Sequence, residues 1–403
     1  FHDYEGDPKS YLAGARLRAR ARLKELGWTK RDVLTTKKEF ADIFQFFSKD
    51  EFRFEPRPLQ ETVIELTQSL EEPILLLVEA PMGEGKTEAS FYGHVALQQQ
   101  IGHRGAYVGL PSQATGNAMF ERLRDFLAGQ GREEPPDLQL LHGAAILSQS
   151  YRELQNYRPN TPDDPQQTAV VARSYFTHLK RGMLSEYGAG TIDQALLSVL
   201  PVKHHFVRLW GLGNRTVILD EVHAYDAYTG ELLNELIAWL RALGSSVILM
   251  SATLPDSTRG AMLKAFGAEE PQDPAPYPRV TRVHRGKVSS RTFQARPLIS
   301  FSLQPAPLDL TALARTALKT VEDGGCLACI VNTVDRAQKL FSEIQALDPE
   351  IDLHLFHARF PICQKQKIEE TVLALYGKGP TSTTNPARPN RSVLVATQVV
   401  EQS

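Results

Sequence analysis

The sequence predicts an α/β protein in which parallel sheets are covered by helices on both faces. Three observations point there. Short runs that are apolar at every position recur along the chain, Ile74-Leu75-Leu76-Leu77-Val78 being the first. Each run stops abruptly in small, polar or charged residues. A stretch with helical character then follows. Strands apolar on every residue are buried on both faces, as parallel strands are. In such sheets, ligands gather at the carboxyl ends of the strands. The 403 residues are 42% hydrophobic and 23% charged, ordinary for a globular chain and incompatible with wholesale disorder. No uninterrupted apolar run approaches the roughly 20 residues of a membrane span. A net charge of −2 argues against coating nucleic acid by bulk charge, while leaving open a groove lined by a few polar and basic groups.

Taken in order, residues 1–50 read as a helical linker following an upstream domain. Its helix, 8–27, carries Arg16, Arg18, Arg20 and Arg22 around a solvated surface, with Leu12, Leu23 and Leu26 inward. Residues 51–267 form a first α/β domain. Its later strands are Ala106-Tyr107-Val108-Gly109-Leu110, Val217-Ile218-Leu219 and Val247-Ile248-Leu249-Met250. The segment 268–290 opens rich in proline and acid and reads as a linker. Residues 291–403 resume the pattern, with strands at Cys326–Val331 and Val393–Ala396.

The strongest chemical signal is Ala80-Pro81-Met82-Gly83-Glu84-Gly85-Lys86-Thr87, directly after the first strand. It matches a phosphate-binding loop, with Ala80 where the general pattern opens on glycine. Gly83 and Gly85 allow backbone N–H groups to turn inward around phosphate oxygens, with Glu84 between them. Lys86 brings a charge to the β- and γ-phosphates. Thr87 offers a hydroxyl to Mg²⁺ at a helix N-terminus that favours anions. The second signal is Asp220-Glu221-Val222-His223 after Val217-Ile218-Leu219. Asp220 suits the metal, and Glu221 suits activation of the attacking water. Ser251-Ala252-Thr253 ends the next strand, where its hydroxyls and His223 could relay the nucleotide state. Cys326 and Cys329 form C-x-x-C, but residues three apart on a strand face opposite ways, so buried strand cysteines are expected rather than a metal site.

Together these pieces resemble superfamily 2 helicases. The continuation Ala224-Tyr225-Asp226, the segment Gly190-Thr191-Ile192-Asp193-Gln194, and Leu200-Pro201-Val202-Lys203-His204 narrow the resemblance to the CRISPR-associated helicase–nucleases of type I systems. Leu140-Leu141-His142-Gly143, His357-Ala358-Arg359-Phe360 and Val395–Ser403 match that family in the same order. The resemblance implies two RecA-like domains of the P-loop NTPase class, the second incomplete here. It implies ATP and Mg²⁺ as cofactors, 3′→5′ translocation on single-stranded DNA, a prokaryotic cytoplasmic setting, and recruitment by the RNA-guided surveillance complex Cascade to the displaced strand of an R-loop. No membrane is involved. Gln60, in Arg57-Pro58-Leu59-Gln60, resembles the family's adenine-recognising glutamine; a solvated glutamine opening a helix is the other reading. DNA contact is expected from Ser112, Gln113 and Thr191 in the first domain and Asn332, Thr333 and Thr397 in the second. Short hydroxyls and amides grip phosphates without reading bases, although the same residue types serve turns and helix caps.

The family's HD nuclease, with its divalent metals, is not expected on these residues, since His2-Asp3 stands without companions. The arginine-bearing sixth motif is expected beyond Ser403 and an upstream segment before Phe1, so the 403 residues alone are expected to bind ATP without unwinding. Another superfamily 2 motor acting on RNA, and a nucleotide-gated clamp that does not translocate, remain as alternatives. Glu221 speaks against the clamp.

Overall fold

In a computed structural model, the structure describes residues 7–25, 33–47, 54–132, 135–143, 145, 148–156, 170–172, 176–177, 181–224, 226–297, 301–377 and 388–402. The chain divides into two compact units, Phe1–Pro297 and Leu298–Ser403.

The first unit is built on one sheet. Its strands are β1 Leu75–Glu79, β2 Ala106–Leu110, β3 Leu138–Leu141, β4 Tyr187–Thr191, β5 Thr216–Leu219, β6 Ser246–Ser251, β7 Arg279–His284 and β8 Lys287–Thr292. They lie in the order β3-β4-β2-β5-β6-β1-β7-β8. All pairings from β3 to β1 are parallel, and β7 and β8 add antiparallel. Alternation along each strand feeds two cores. Leu76, Val78, Val108, Ile218 and Ile248 pack against Leu59, Val63, Phe91, Phe120 and Phe126 on one face. Leu75, Leu77, Val217, Leu219 and Val247 pack against Leu233, Leu236, Ile237 and Leu263 on the other. The apolar runs are therefore apolar at every position because both faces are covered, and the α/β class is as expected.

The second unit has a parallel sheet of β9 Gly325–Ile330, β10 Asp352–Phe356 and β11 Arg391–Ala396, in the order β10-β11-β9. Val393 and Val395 pack with Ala317, Leu340 and Ile344. Leu394 and Ala396 pack with Phe356 and Val372.

Several expectations need correction. The segment 268–290 is not a linker: it carries β7 and the start of β8, and the second unit begins at Leu298 rather than 291. Arg279-Val280-Thr281-Arg282-Val283-His284 mixes apolar with polar residues, three of them charged or ionisable, so no unbroken apolar run marks β7 although most of it is buried. Nor is all of 1–50 a linker, because Leu34, Phe40, Ile43 and Phe44 are buried in the first core. Leu12 and Leu23, read as inward, are 53% and 39% exposed. Eleven residues apart, they make no continuous stripe. Leu26 and His2-Asp3 lie outside the described residues. Cys326, expected buried, is exposed on edge strand β9, while Cys329 is half-buried and burial pushes its thiol up to about 11. Among the described residues no cluster of three or more His, Cys, Asp or Glu could hold a metal ion.

The amino ends of the first unit's strands bury a polar network. His94 Nδ1 meets Thr216 Oγ1 at 2.9 Å, and its Nε2 meets the Tyr187 hydroxyl at 3.3 Å. His103 Nε2 meets Ser246 Oγ at 2.8 Å. Burial lowers His94 to about 3 and His103 to about 4. Both histidines thus stay neutral in the fold but take a proton below pH ~6.5 once unfolded. The unfolded state binds more protons in that window, so stability is full above pH ~6.5 and is lost as pH falls towards the folded values. Denaturant titrations between pH 7 and pH 4.5 should show unfolding free energy dropping by up to about 1.4 kcal/mol per pH unit per histidine. His103→Gln should make that slope shallower; an unchanged slope would assign it to other groups.

Candidate nucleotide site and nucleic-acid face

The phosphate loop leaves the end of β1 and enters the helix Lys86–Ile101. Gly83 and Gly85 sit at φ 82° and 84°, where a side chain is strained. An added Cβ at Gly85 would also collide with Gln60 Nε2, so the buried amide would have to shift. The loop folds back on itself: Lys86 Nζ donates to Ala80 O at 3.0 Å, and Ala80 N donates to Ser251 O at 3.1 Å. Gln60 is 1% exposed, which excludes the solvated reading. Its Oε1 accepts from Arg57 N at 2.9 Å, and its Nε2 donates to Gly85 O at 3.3 Å. Arg57 Nη1 donates to Gly83 O at 2.6 Å, bracing the loop from outside. Sequence reading missed Arg57, whose only signal was its place before Pro58-Leu59-Gln60. Glu84 is buried, with Oε1 accepting from Arg296 N at 3.0 Å. Thr87 follows Lys86 in the first helical turn.

Asp220 directly follows β5, its N–H bonded to Gly109 O at 3.0 Å. Its Oδ1 accepts from Glu221 N at 2.9 Å. Burial, then the neighbouring Glu221 charge, raises Asp220 to about 6, partly offset by that hydrogen bond and by the Lys86 charge. Lys86 and Asp220, far apart in sequence, therefore share one electrostatic site. Glu221 adopts φ 51°, a left-handed conformation that a non-glycine residue holds only when its surroundings impose it. Its Oε2 lies 3.2 Å from His223 Nδ1, which lies 3.2 Å from Ser251 Oγ. Ser251 Oγ in turn donates to Thr253 O at 2.8 Å. The acids and the expected relay residues His223, Ser251 and Thr253 thus form one connected chain. Thr87 and Asp220 offer hard oxygens, and a cation would offset the burial and the Glu221 charge that raise Asp220, so the residues fit Mg²⁺.

The residues expected at DNA divide by unit. Ser112 caps the helix Gln113–Ala128, its Oγ accepting from Thr115 N at 3.3 Å. Gln113 is exposed at that helix start, close to Gly143. Thr191 ends β4 and is buried, its carbonyl accepting from the Tyr107 hydroxyl at 2.7 Å. Neighbouring His142 is buried and meets Asn117 Oδ1 at 2.9 Å. In the second unit, Thr333 caps the helix Val334–Leu347 through Arg336 N at 3.2 Å. Asn332 is exposed and accepts from Gln398 Nε2 at 3.4 Å. Thr397 is buried, its N–H bonded to Phe356 O at 3.1 Å. The cap roles weighed for such residues are therefore present at Ser112 and Thr333. All six stand at carboxyl ends of their units' strands or at the helix starts that follow.

The family described as CRISPR-associated nuclease/helicase Cas3, C-terminal, matches residues 323–403. The chain is 42% identical to the CRISPR-associated endonuclease/helicase Cas3 of Thermus thermophilus, over 99% of this chain and 47% of that protein. It is similar to the crystal structure of T. fusca Cas3 with ATP, at a TM-score of 0.77 and 31% identity over 93% of this chain and 43% of that one. A chain in a CRISPR RNA-guided surveillance complex, pre-nicking, matches at a TM-score of 0.61 and 29% identity, over 86% of this chain and 38% of that one. The chain thus spans about half the length of the relatives it matches.

The raised Asp220 carboxyl has a measurable consequence. The folded state holds this proton more tightly than the unfolded chain, so Asp220 weakens the fold as pH rises through about 6. Asp220→Asn keeps an oxygen for Glu221 N and removes the buried charge. Its melting temperature should exceed the parent's at pH 7.5, by an amount worth about 2–3 kcal/mol. The gain should vanish near pH 4. A variant less stable at both pH values would show that Asp220 is held by favourable partners instead.

Proposed function

Since the chain belongs to the CRISPR-associated nuclease/helicase Cas3 family, we propose that it is the ATP-driven motor portion of such a protein, moving 3′→5′ along single-stranded DNA during type I CRISPR interference. The observation that carries this reading is the convergence of Lys86 with Asp220 and Glu221 at the ends of β1 and β5, on either side of β6, whose Ser251 is joined to both the loop and His223.

ATP is the substrate. Its phosphates enter the loop shaped by Gly83, Glu84 and Gly85, and Lys86 exchanges its bond to Ala80 O for phosphate oxygens. The second N–H and second lone pair of the Gln60 amide remain for an adenine edge. Thr87 and Asp220 would hold Mg²⁺, which when bound neutralises phosphate charge. Glu221 accepts the proton of the attacking water. His223 then carries a change at Glu221 to Ser251 and Thr253, which makes these three coupling residues. Ser112, Gln113 and Thr191, and in the second unit Asn332, Thr333 and Thr397, grip the DNA backbone. Such contacts suit a motor that tracks any sequence.

The surveillance-complex match supports recruitment by Cascade. No described helix is long and apolar enough to cross a membrane. Nuclease chemistry, which the family's name includes, is assigned to none of the described residues.

ATP turnover measured with single-stranded DNA and with RNA tests the reading. Stimulation by DNA alone is expected. Stimulation by RNA would indicate an RNA motor, and binding without turnover a clamp. Lys86→Ala should abolish turnover and leave the melting temperature nearly unchanged, because the side chain contributes little to packing. Glu221→Gln should bind ATP near normally and hydrolyse it at least about a hundredfold more slowly. If binding and turnover fell together in Glu221→Gln, this residue would hold the nucleotide instead of activating water.

A further inference from the structure

Glu79 is the last residue of β1, one residue before the chain departs into the phosphate loop, and it is 1% exposed. In the sheet it is in register with Ser251 of β6 on one side and Arg279 of β7 on the other. Arg279 meets it with a fork: Nε donates to Oε2 at 2.6 Å and Nη2 to Oε1 at 2.9 Å. The third nitrogen, Nη1, donates to Ala275 O at 2.7 Å. Arg259 arrives from the helix Asp256–Ala265, which follows the Ser251-Ala252-Thr253 turn, and sets Nη1 3.6 Å from Glu79 Oε1. Its other nitrogens bond Glu270 Oε1 at 2.6 Å and Asp256 Oδ1 at 2.9 Å.

Burying a carboxylate with two guanidiniums is a poor source of stability, because desolvation offsets the attraction. A two-pronged arginine–carboxylate pair supplies direction instead, since both planes must align. Here that direction is imposed at the residue from which the loop leaves. The adjoining Ala80 carries two of the loop's backbone contacts, its N–H on Ser251 O and its carbonyl under Lys86 Nζ. The same hairpin holds the loop again further along, because Arg296, just past β8, donates its N–H to Glu84.

We propose that Glu79 and Arg279, with Arg259, are positioning residues that set the phosphate loop for nucleotide. The hairpin β7–β8 is thereby part of the ATP site without touching ATP. This inference rests on the nucleotide reading above.

The test is binding of a fluorescent ATP analogue with Mg²⁺ to the 403-residue chain, with melting curves taken alongside. Arg279→Lys keeps the charge and loses the fork. It should remain folded at the assay temperature and bind roughly tenfold more weakly, the scale for groups that orient a site from behind. The control is Arg132→Lys, in a buried ion pair with Glu186 that lies at the opposite strand ends. It should cost comparable stability and leave binding unchanged. Arg279→Lys binding like the parent, or both variants weakening binding equally, would overturn the proposal. If Arg279→Lys does not fold, Arg259→Lys probes the same carboxylate from the helix side; weakening of at least about threefold is expected, and unchanged binding again overturns the proposal. A parent chain that fails to bind the analogue at all would sink the nucleotide reading itself, and this inference with it.

Discussion

The candidate nucleotide site depends on how one strand ends. β1 is held on both sides, by β6 in parallel and by β7 in antiparallel pairing, so its last residue cannot slide or fray. A loop rich in glycine has little conformational preference of its own. Its shape must therefore come from what is fixed at each end. At the near end this is Glu79, locked in register; at the far end it is the first turn of the helix Lys86–Ile101. Gln60 and Arg57 close the bracket by bonding the carbonyls of Gly85 and Gly83.

The first unit handles buried charge differently at its two edges. At the amino ends of the strands, buried polar side chains are neutral or paired: His94 and His103 are uncharged, Arg215 donates to the carbonyl of Glu186 at 3.1 Å, and Arg132 meets the Glu186 carboxylate. That edge is a sealed structural network. At the carboxyl ends, half-buried Asp220 is held beside Glu221, which raises the Asp220 carboxyl after burial has done so, and Glu221 holds a left-handed backbone. Unfavourable local choices of this kind gather where a site must meet a ligand. A cation accompanying a polyphosphate would supply the positive charge that these two acids lack.

The chain of contacts from Glu221 through His223 to Ser251 gives the site a physical route outward. Ser251 lies on β6 next to the strand that launches the loop, and its carbonyl holds Ala80. One serine thus touches the loop through its backbone and His223, the neighbour of Glu221, through its hydroxyl. A hydroxyl at this point can change partners at small cost, which a larger apolar residue could not do.

Much of this was legible from the residues alone. Val217–Leu219 and Val247–Met250 announced themselves because both faces of a parallel strand are buried, so periodicity disappears and apolarity is continuous. The phosphate loop and Asp220-Glu221 were legible because their chemistry requires particular residue types at fixed spacing. What sequence could not show is who meets whom across long separations. The segment 268–290 read as a linker because half-wet strands and proline-rich approaches look like loops, yet its Arg279 reaches Glu79 across 200 residues. Gln60 could be a solvated helix residue or part of the site, and only its burial against Gly85 removed the solvated reading. Leu12 and Leu23 carried an expectation of burial that their helix does not meet. Local sequence determines strands, turns and the chemistry available at their ends; register and burial are settled only when distant segments pack, because those energies belong to pairs of segments and not to either one.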